Sequence, residues 1–162
     1  LRELPAGLKA MLELIPMEAH PMDVMRTATS FLGTLEPEGP MHDQYAVTDR
    51  LLALYPAILV YWWKWGREGV RIDCQSAGEG IADHFLTLLH GRAPSALHKK
   101  AMNVSLILYA EHEFNASTFA ARTITSTLAD FYSGVTGAIG ALRGPLHGGA
   151  NEAAMELIQK FK

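Results

Sequence analysis

The spacing of apolar residues constrains the fold of this chain more than any other feature of its sequence. Large apolar side chains recur every three or four residues, as in Leu4, Leu8 and Leu12, and no run alternates convincingly between apolar and polar residues. This period matches one face of an α-helix rather than a strand. The sequence therefore predicts an all-α fold with helices over residues 4–15, 21–33, 43–65, 81–89, 97–109, 118–132, 133–142 and 152–161.

Prolines and glycines divide this helical pattern into segments. Pro16 ends the first segment because it lacks a backbone donor and restricts the residue before it. Pro21 suits the first turn of the second helix, which we expect Gly33 to close. Pro56 is expected to kink or break the long third helix. Residues 66–80 contain four glycines and are expected to form a flexible connection.

Composition and charge exclude several classes of protein. The net charge is −3 and the longest basic run is Lys99-Lys100, so a nucleic-acid partner is not expected. The apolar stretch 51–63 is shorter than the roughly 20 residues that cross a bilayer, which argues against a membrane protein. Cys74 is the only cysteine, so no intrachain disulfide is possible and a cytoplasmic location is expected. Because the chain begins without Met, we interpret it as the middle of a longer gene product.

Three glycines interrupt the apolar segment 133–142 at intervals of three residues: Gly134, Gly137 and Gly140. Glycine costs about 1 kcal/mol relative to alanine in a helix interior, so three of them indicate that another backbone approaches closely. Two interpretations remain open. The glycines form either an internal helix crossing or a subunit interface.

A histidine lies in a glycine-rich turn, Gly-Pro-Leu-His-Gly-Gly-Ala-Asn, that leads into the last helix. His147 lies close to the start of that helix, where backbone N–H groups have no intrahelical partner and negative charge is favoured. A neutral histidine in such a place can donate a hydrogen bond to a carbonyl oxygen as charge builds on it. Gly148 and Gly149 could let a bulky thioester lie against the backbone. The alternative is a histidine that stabilises a tight turn.

A second histidine, His112, lies at the junction before the helix that starts near residue 118. Asn115 and Ser117 are good N-cap residues for that helix. A zinc-protease motif would need a second histidine at the position of Ala116, so no metal site is predicted. His112 and Asn115 could instead donate hydrogen bonds to a small dicarboxylate. The remaining histidines, which lack the spacing of metal ligands, are expected to be structural or solvated: His20, His42, His84, His90 and His98.

The two histidine segments together resemble the citrate synthase family. The first, Tyr-Ala-Glu-His-Glu-Phe-Asn-Ala-Ser-Thr-Phe at 109–119, is most similar to the 2-methylcitrate synthase branch, to which Phe114 in particular points. The segment His-Pro-Met-Asp-Val-Met-Arg-Thr at 20–27 and the region 86–90 support the resemblance over the whole chain. It implies an acyltransferase that condenses propionyl-CoA with oxaloacetate and hydrolyses the product to 2-methylcitrate and CoA, in propionate catabolism.

The resemblance also implies roles for individual residues. His147 matches the histidine that stabilises the enol of the thioester, His112 matches the histidine that binds oxaloacetate, and Asn115 assists it. Acyl-CoA is a substrate, and no cofactor or metal is implied. Family members are longer, so residues 1–162 are expected to be part of the large helical domain. The second active-site histidine, the catalytic aspartate, the arginines, the CoA loop and the small domain would then lie outside this chain, which alone should be inactive.

Two alternatives to this function remain open. The first is a citrate synthase of the tricarboxylic acid cycle that uses acetyl-CoA, a substrate one methylene shorter than propionyl-CoA. The second is a non-catalytic helical module that dimerises through its glycine-faced helix. A homodimer is expected in any case, because the segments 51–65 and 133–142 are too apolar to be left in water.

Overall fold

The computed structural model describes residues 1–110 and 113–161, and within them the predicted all-α fold is confirmed. Eight helices are formed there, and the remaining regular structure is an isolated bridge between Gly39 and His42. The helices are α1 Ala6–Leu14, α2 Pro21–Leu35, α3 Gln44–Glu68, α4 Ile81–His90, α5 Ala96–Tyr109, α6 Ala116–Thr125, α7 Phe131–Leu142 and α8 Ala150–Gln159. In the described part of the chain, none of these helices has the length and apolar character that crossing a membrane requires.

The main hydrophobic core lies between α1, α2, α3 and α4, where the predicted apolar stripes face one another. α1, α2 and α4 all pack on α3, and α1 also packs on α2. The apolar stripe of each helix is thereby covered by its neighbours. Fully buried apolar side chains in these helices include Leu8, Leu12, Val24, Leu32, Leu54, Ile58 and Trp62.

The second helix does not end where the sequence predicted. The Nδ1 atom of His20 accepts a hydrogen bond from the backbone N–H of Met22 at 3.1 Å and thereby caps α2, with Pro21 in its first turn. α2 then continues through Gly33 to Leu35. A Cβ atom on Gly33 would lie 2.9 Å from Cγ of Tyr132, so this glycine serves the contact between α2 and α7. The prediction that Gly33 closes the helix was wrong.

The third helix is continuous through its proline. Asp43 caps α3 by accepting from the N–H groups of Tyr45 and Ala46 at 3.1 and 3.0 Å, and the helix continues for 25 residues to Glu68, with Gly69 as its C-cap. An internal proline costs about 3 kcal/mol or more, but Pro56 and the two residues after it, Ala57 and Ile58, are all buried. Burial of these residues offsets the cost, so Pro56 does not break α3.

The connection between α3 and α4 is fastened to the core at several points. Cys74 is 3% exposed, and this burial raises the pKa of its thiol to about 11. The hydroxyl of Ser76 lies 2.8 Å from Nδ1 of His84, and the guanidinium of Arg2 donates to the backbone carbonyl of Ser76 at 3.1 Å. The predicted connection over residues 66–80 begins later than expected, because α3 continues to Glu68, and these contacts join it to α4 and to the start of the chain.

α6 and α7 form an antiparallel hairpin, although the sequence predicted one helix over 118–132. Leu128, with φ of +65°, lies in the turn that ends α6, and the carboxylate of Asp130 caps α7 by accepting from the N–H of Ser133 at 3.0 Å. A Cβ on Gly134 would lie 2.7 Å from Cγ2 of Thr125, and one on Gly137 would overlap Ile124. The structure thus shows an internal crossing of α6 and α7 at two of the three glycines.

Candidate active site

The turn that carries His147 is built by the backbone between α7 and α8. The carbonyl of Gly144 accepts hydrogen bonds from the N–H groups of His147 and Gly148, both at 3.0 Å. A Cβ on Gly148 would overlap the carbonyl oxygen of Leu142. The turn itself therefore requires glycine at 148, whereas the sequence argument had assigned this glycine to the approach of a thioester.

The structure brings His147 to the start of α6. Its Nε2 atom lies 2.7 Å from the hydroxyl oxygen of Ser117, which is the second residue of that helix. A serine hydroxyl that donates to Nε2 fixes the tautomer with the proton on Nδ1. His147 would then present an N–H donor on the opposite side of its ring.

Sequence reasoning missed Ser117 as a member of this site. Its position suggested a helix cap, and nothing in the spacing linked it to a histidine 30 residues later. Ser117 and His147 come together only because α6 and α7 form a hairpin, which brings the end of α7 back to the start of α6. The only signal in the sequence was that Ser117 lies in the first turn of a helix and five residues after the candidate His112.

Asn115, predicted to bind substrate, is the N-cap of α6. Its Oδ1 atom accepts a hydrogen bond from the N–H of Thr118 at 2.9 Å. Because Oδ1 is committed to the cap, Asn115 can serve a ligand through its Nδ2 group, as a donor. Asn115 lies two residues before Ser117, and thus at the same end of α6 as His147. His112, the other predicted residue, lies outside the described residues.

The start of α2 is fastened to the end of α7, just before the turn of His147. One carboxylate oxygen of Asp23 lies 3.1 Å from the guanidinium of Arg26, and the other accepts from Nε of Arg143 at 3.4 Å. Arg143 is the C-cap of α7 and is followed by Gly144, the first glycine of the turn. The segment 20–27 is therefore joined to the site by a charged contact.

Two of the histidines expected to be structural or solvated, His20 and His84, make structural contacts. His20 caps α2, and His84 is 1% exposed in the core beside Ser76. Burial, and next the positive charge of Arg2, lower the pKa of His84, so it is held neutral. Among the side chains that the structure describes, at residues 1–110, 113–149 and 153–161, no three histidine, cysteine or acidic side chains are grouped so that they could hold a metal ion.

These features can be compared with known proteins. The family description "Citrate synthase, C-terminal domain" matches residues 1–162. The chain belongs to the citrate synthase family. The resemblance drawn from the two histidine segments is thereby confirmed.

Relatives within the citrate synthase family carry two names. The 2-methylcitrate synthase of Shewanella oneidensis is 64% identical over 162 residues, which are all of this chain and 43% of that protein. The 2-methylcitrate synthase of Mycobacterium tuberculosis is 46% identical over 155 residues, 95% of this chain and 39% of that protein. The citrate synthase of Mycolicibacterium smegmatis is 44% identical over 157 residues, 95% of this chain and 42% of that protein. The chain thus spans about two fifths of the length of these relatives.

The fold agrees with solved citrate synthases. The enzyme of Thermoplasma acidophilum, whose structure is a ternary complex with carboxymethyl coenzyme A and oxaloacetate, superposes with a TM-score of 0.86 at 29% identity. That comparison covers 99% of this chain and 42% of the other. The enzyme of Thermotoga maritima gives a TM-score of 0.82 at 31% identity, over 98% and 41% of the two chains.

Proposed function

We propose that the whole protein is a 2-methylcitrate synthase, an acyltransferase that condenses propionyl-CoA with oxaloacetate and hydrolyses the intermediate to 2-methylcitrate and CoA. Its place would be in propionate catabolism, in the cytoplasm. Whole-chain identity of 64% to a relative of that name supports this assignment over the other family members. The contact between Ser117 and His147 is the single observation that carries the chemistry.

His147 would stabilise the enol or enolate of the thioester. With Ser117 as the donor to Nε2, the Nδ1 proton would be left to hydrogen-bond the thioester oxygen as negative charge develops on it. A preorganised donor of this kind acts mainly on the transition state, where that charge is largest. A carboxylate in another part of the whole protein would remove the α-proton.

Oxaloacetate would bind at the start of α6. Asn115 offers its Nδ2 donor there, and His112 precedes it in sequence by three residues. The N-terminus of α6 adds a partial positive charge that favours a dicarboxylate. This places the electrophilic keto acid beside the thioester held by His147.

The chain would supply only part of the catalytic centre. Residues 1–162 would form part of the large helical domain, and the remainder of the whole protein would provide the second histidine, the aspartate, the arginines, the CoA loop and the small domain. Residues that act as a unit lose most of the rate when one is missing. The isolated chain is therefore expected to be inactive.

A second candidate function is citrate synthase activity with acetyl-CoA. The relative from Mycolicibacterium smegmatis and the solved structures carry that name. The two acyl groups differ by one methylene, for which a pocket discriminates by only about 1–3 kcal/mol. An enzyme of either name would therefore accept both substrates to some degree.

A homodimer is also part of the proposal, but the apolar segment 51–65 no longer supports it. The segment 51–65 forms the core of this chain, where Leu51, Leu54 and Ile58 are buried, so it is not a free surface. Gly134 and Gly137 pack against α6, which weakens the case for a module that dimerises through these glycines. Support for a partner comes instead from exposed apolar side chains on α5 and α6, such as Ile107 and Phe119.

The proposed function is tested by thiol release from propionyl-CoA and from acetyl-CoA with oxaloacetate. The whole protein should prefer propionyl-CoA, and His147→Ala should abolish release with both substrates. Ser117→Ala should lower kcat about tenfold, because a neutral hydrogen bond contributes about 0.5–1.5 kcal/mol. Preference for acetyl-CoA would favour the second candidate. No release with either thioester would leave the non-catalytic module.

A further inference from the structure

We propose that Phe114 contacts the acyl chain of the thioester and sets the preference for propionyl-CoA over acetyl-CoA. This inference rests on the proposed function, since it deepens the substrate choice of the same site. It assigns a specificity role to a side chain whose contribution to the sequence argument was only to indicate a branch of the family.

Phe114 is presented to solvent at the edge of the site. Its side chain is 91% exposed, although transfer of a phenylalanine side chain out of water stabilises a protein by about 1.5–3 kcal/mol. Leu146, directly before His147, is likewise fully exposed. Each of the two turns that form the site therefore carries one large apolar side chain next to its polar residues.

Phe114 lies close along the chain to the polar residues of the site. It immediately precedes Asn115, the N-cap of α6, and lies three residues before Ser117, a span of at most about 10 Å. The hydroxyl of Ser117 lies 2.7 Å from the ring of His147. In this proposal the acyl carbons of a thioester bound by His147 lie against the ring of Phe114.

The backbone before Phe114 is held in an unusual conformation. Glu113 has φ of +48°, in the left-handed region that costs a residue with a Cβ roughly 1–2 kcal/mol. On the other side, the bond from Thr118 N–H to Oδ1 of Asn115 fixes the start of the helix. Phe114 thus projects from a turn whose two ends are set by local structure, and such strained positions cluster at ligand sites.

The chemistry of Phe114 suits the acyl chain and not the other substrate. A phenyl ring offers no hydrogen bond to the carboxylates or keto group of oxaloacetate. It offers apolar surface to the methyl group by which propionyl exceeds acetyl. One methylene in an apolar pocket changes kcat/KM by about 10–200-fold, which is the range that one well-placed aromatic ring can control.

The test uses the whole protein and compares Phe114→Ala with Phe119→Ala. Phe119 is a matched control because it is 74% exposed and lies five residues later, on α6. We expect Phe114→Ala to lower kcat/KM for propionyl-CoA at least tenfold and for acetyl-CoA less than threefold. The Phe119→Ala variant should keep the wild-type ratio. Phe114→Leu, which retains apolar bulk, should fall between wild type and Phe114→Ala and guards against a folding defect.

The outcomes separate this inference from the function on which it rests. If the wild-type protein releases no CoA from either thioester, the proposed function fails. If the wild type is active and Phe114→Ala lowers kcat/KM equally for both thioesters, or lowers only the melting temperature, the specificity role is wrong. In that case Phe114 is covered by another part of the protein and serves packing.

Discussion

The first four helices and the two that follow them differ in how far they bury their apolar side chains. α1 to α4 bury their stripes against one another, and Leu8, Leu12 and Leu54 are completely removed from solvent. α5 and α6, both fully described, bury no residue completely. Leu108 on α5 is 74% exposed. α1 to α4, the core half, cover one another's apolar side chains. α5 and α6, the exposed half, leave theirs in contact with solvent.

Because of this difference, the helices that stabilise the fold are largely distinct from those that carry the candidate active site. The core helices contribute most of the buried apolar area, on which folding free energy depends. The candidate active site lies on the exposed half, at the start of α6 and the turn after α7. α7 belongs to both, because Tyr132 is buried against Gly33 of α2 while the far end of the helix leads to His147. Packing of α7 against α2 therefore helps to fix the position of His147.

Leucine-to-alanine substitutions should show the largest difference between the two halves, measured as a change in the free energy of unfolding. Leu54→Ala removes a fully buried side chain and should lower the free energy of unfolding by about 2–5 kcal/mol. Leu108→Ala in the 162-residue chain should change it by less than about 0.5 kcal/mol, as is usual for surface sites. Urea unfolding followed by circular dichroism measures both values.

The same pair also tests whether the exposed half is covered in the whole protein. If it is, Leu108→Ala should become costly there, by more than about 1 kcal/mol. Equal costs for Leu54→Ala and Leu108→Ala in the 162-residue chain would contradict the division into a core half and an exposed half.

Gly148→Ala should disturb the site while sparing the core. The new Cβ would overlap the carbonyl oxygen of Leu142, so the backbone of the turn must move and displace His147. A displacement of about 1 Å costs on the order of 10²-fold in rate. We expect such a loss of kcat in the whole protein, with little change in the unfolding midpoint. Gly39→Ala is the control, since no atom lies within 4 Å of its added Cβ, and it should leave kcat unchanged.

The sequence predicted the fold class and most helices, because apolar spacing reports local burial directly. Its errors arose where tertiary contacts overrule a local signal. Gly33 was predicted to close α2 but serves the contact with Tyr132, and Pro56, which was predicted to kink or break α3, lies inside a continuous helix. The turn at Leu128 was missed because a leucine with positive φ leaves no trace in composition.

The candidate site was partly predictable for a different reason. His147 and Asn115 occur in short segments whose residue types already suggest hydrogen bonding near helix ends. Ser117 could not be assigned to His147 from spacing, because the two meet only after α6 and α7 fold back on each other. The structure places Asn115 and Ser117 two residues apart at one end of α6, and the role of His112 stays a prediction.

The smallest expected effect concerns a charged contact that fastens α1 to the end of α3. The carboxylate of Glu13 accepts from Arg71 through both oxygens at 2.8 Å and from the hydroxyl of Tyr61 at 2.6 Å. These hydrogen bonds, that of Arg71 first, lower the pKa of Glu13 to about 2 from an ordinary value of 4.5. Because the folded-state pKa is depressed, the contact stabilises the fold fully above pH 4.5 and is lost as the pH falls towards 2.

Glu13→Gln should therefore flatten the pH dependence of the unfolding midpoint between pH 5 and about pH 3. Glu68→Gln is the matched control, since Glu68 forms an exposed pair with Lys64 on the surface of α3 at 2.8 Å. Exposed pairs of that kind contribute little, so the control should follow the wild-type curve. A Glu13→Gln variant with the wild-type slope would show that the contact adds nothing to the core half. Its stability would then come from apolar burial alone.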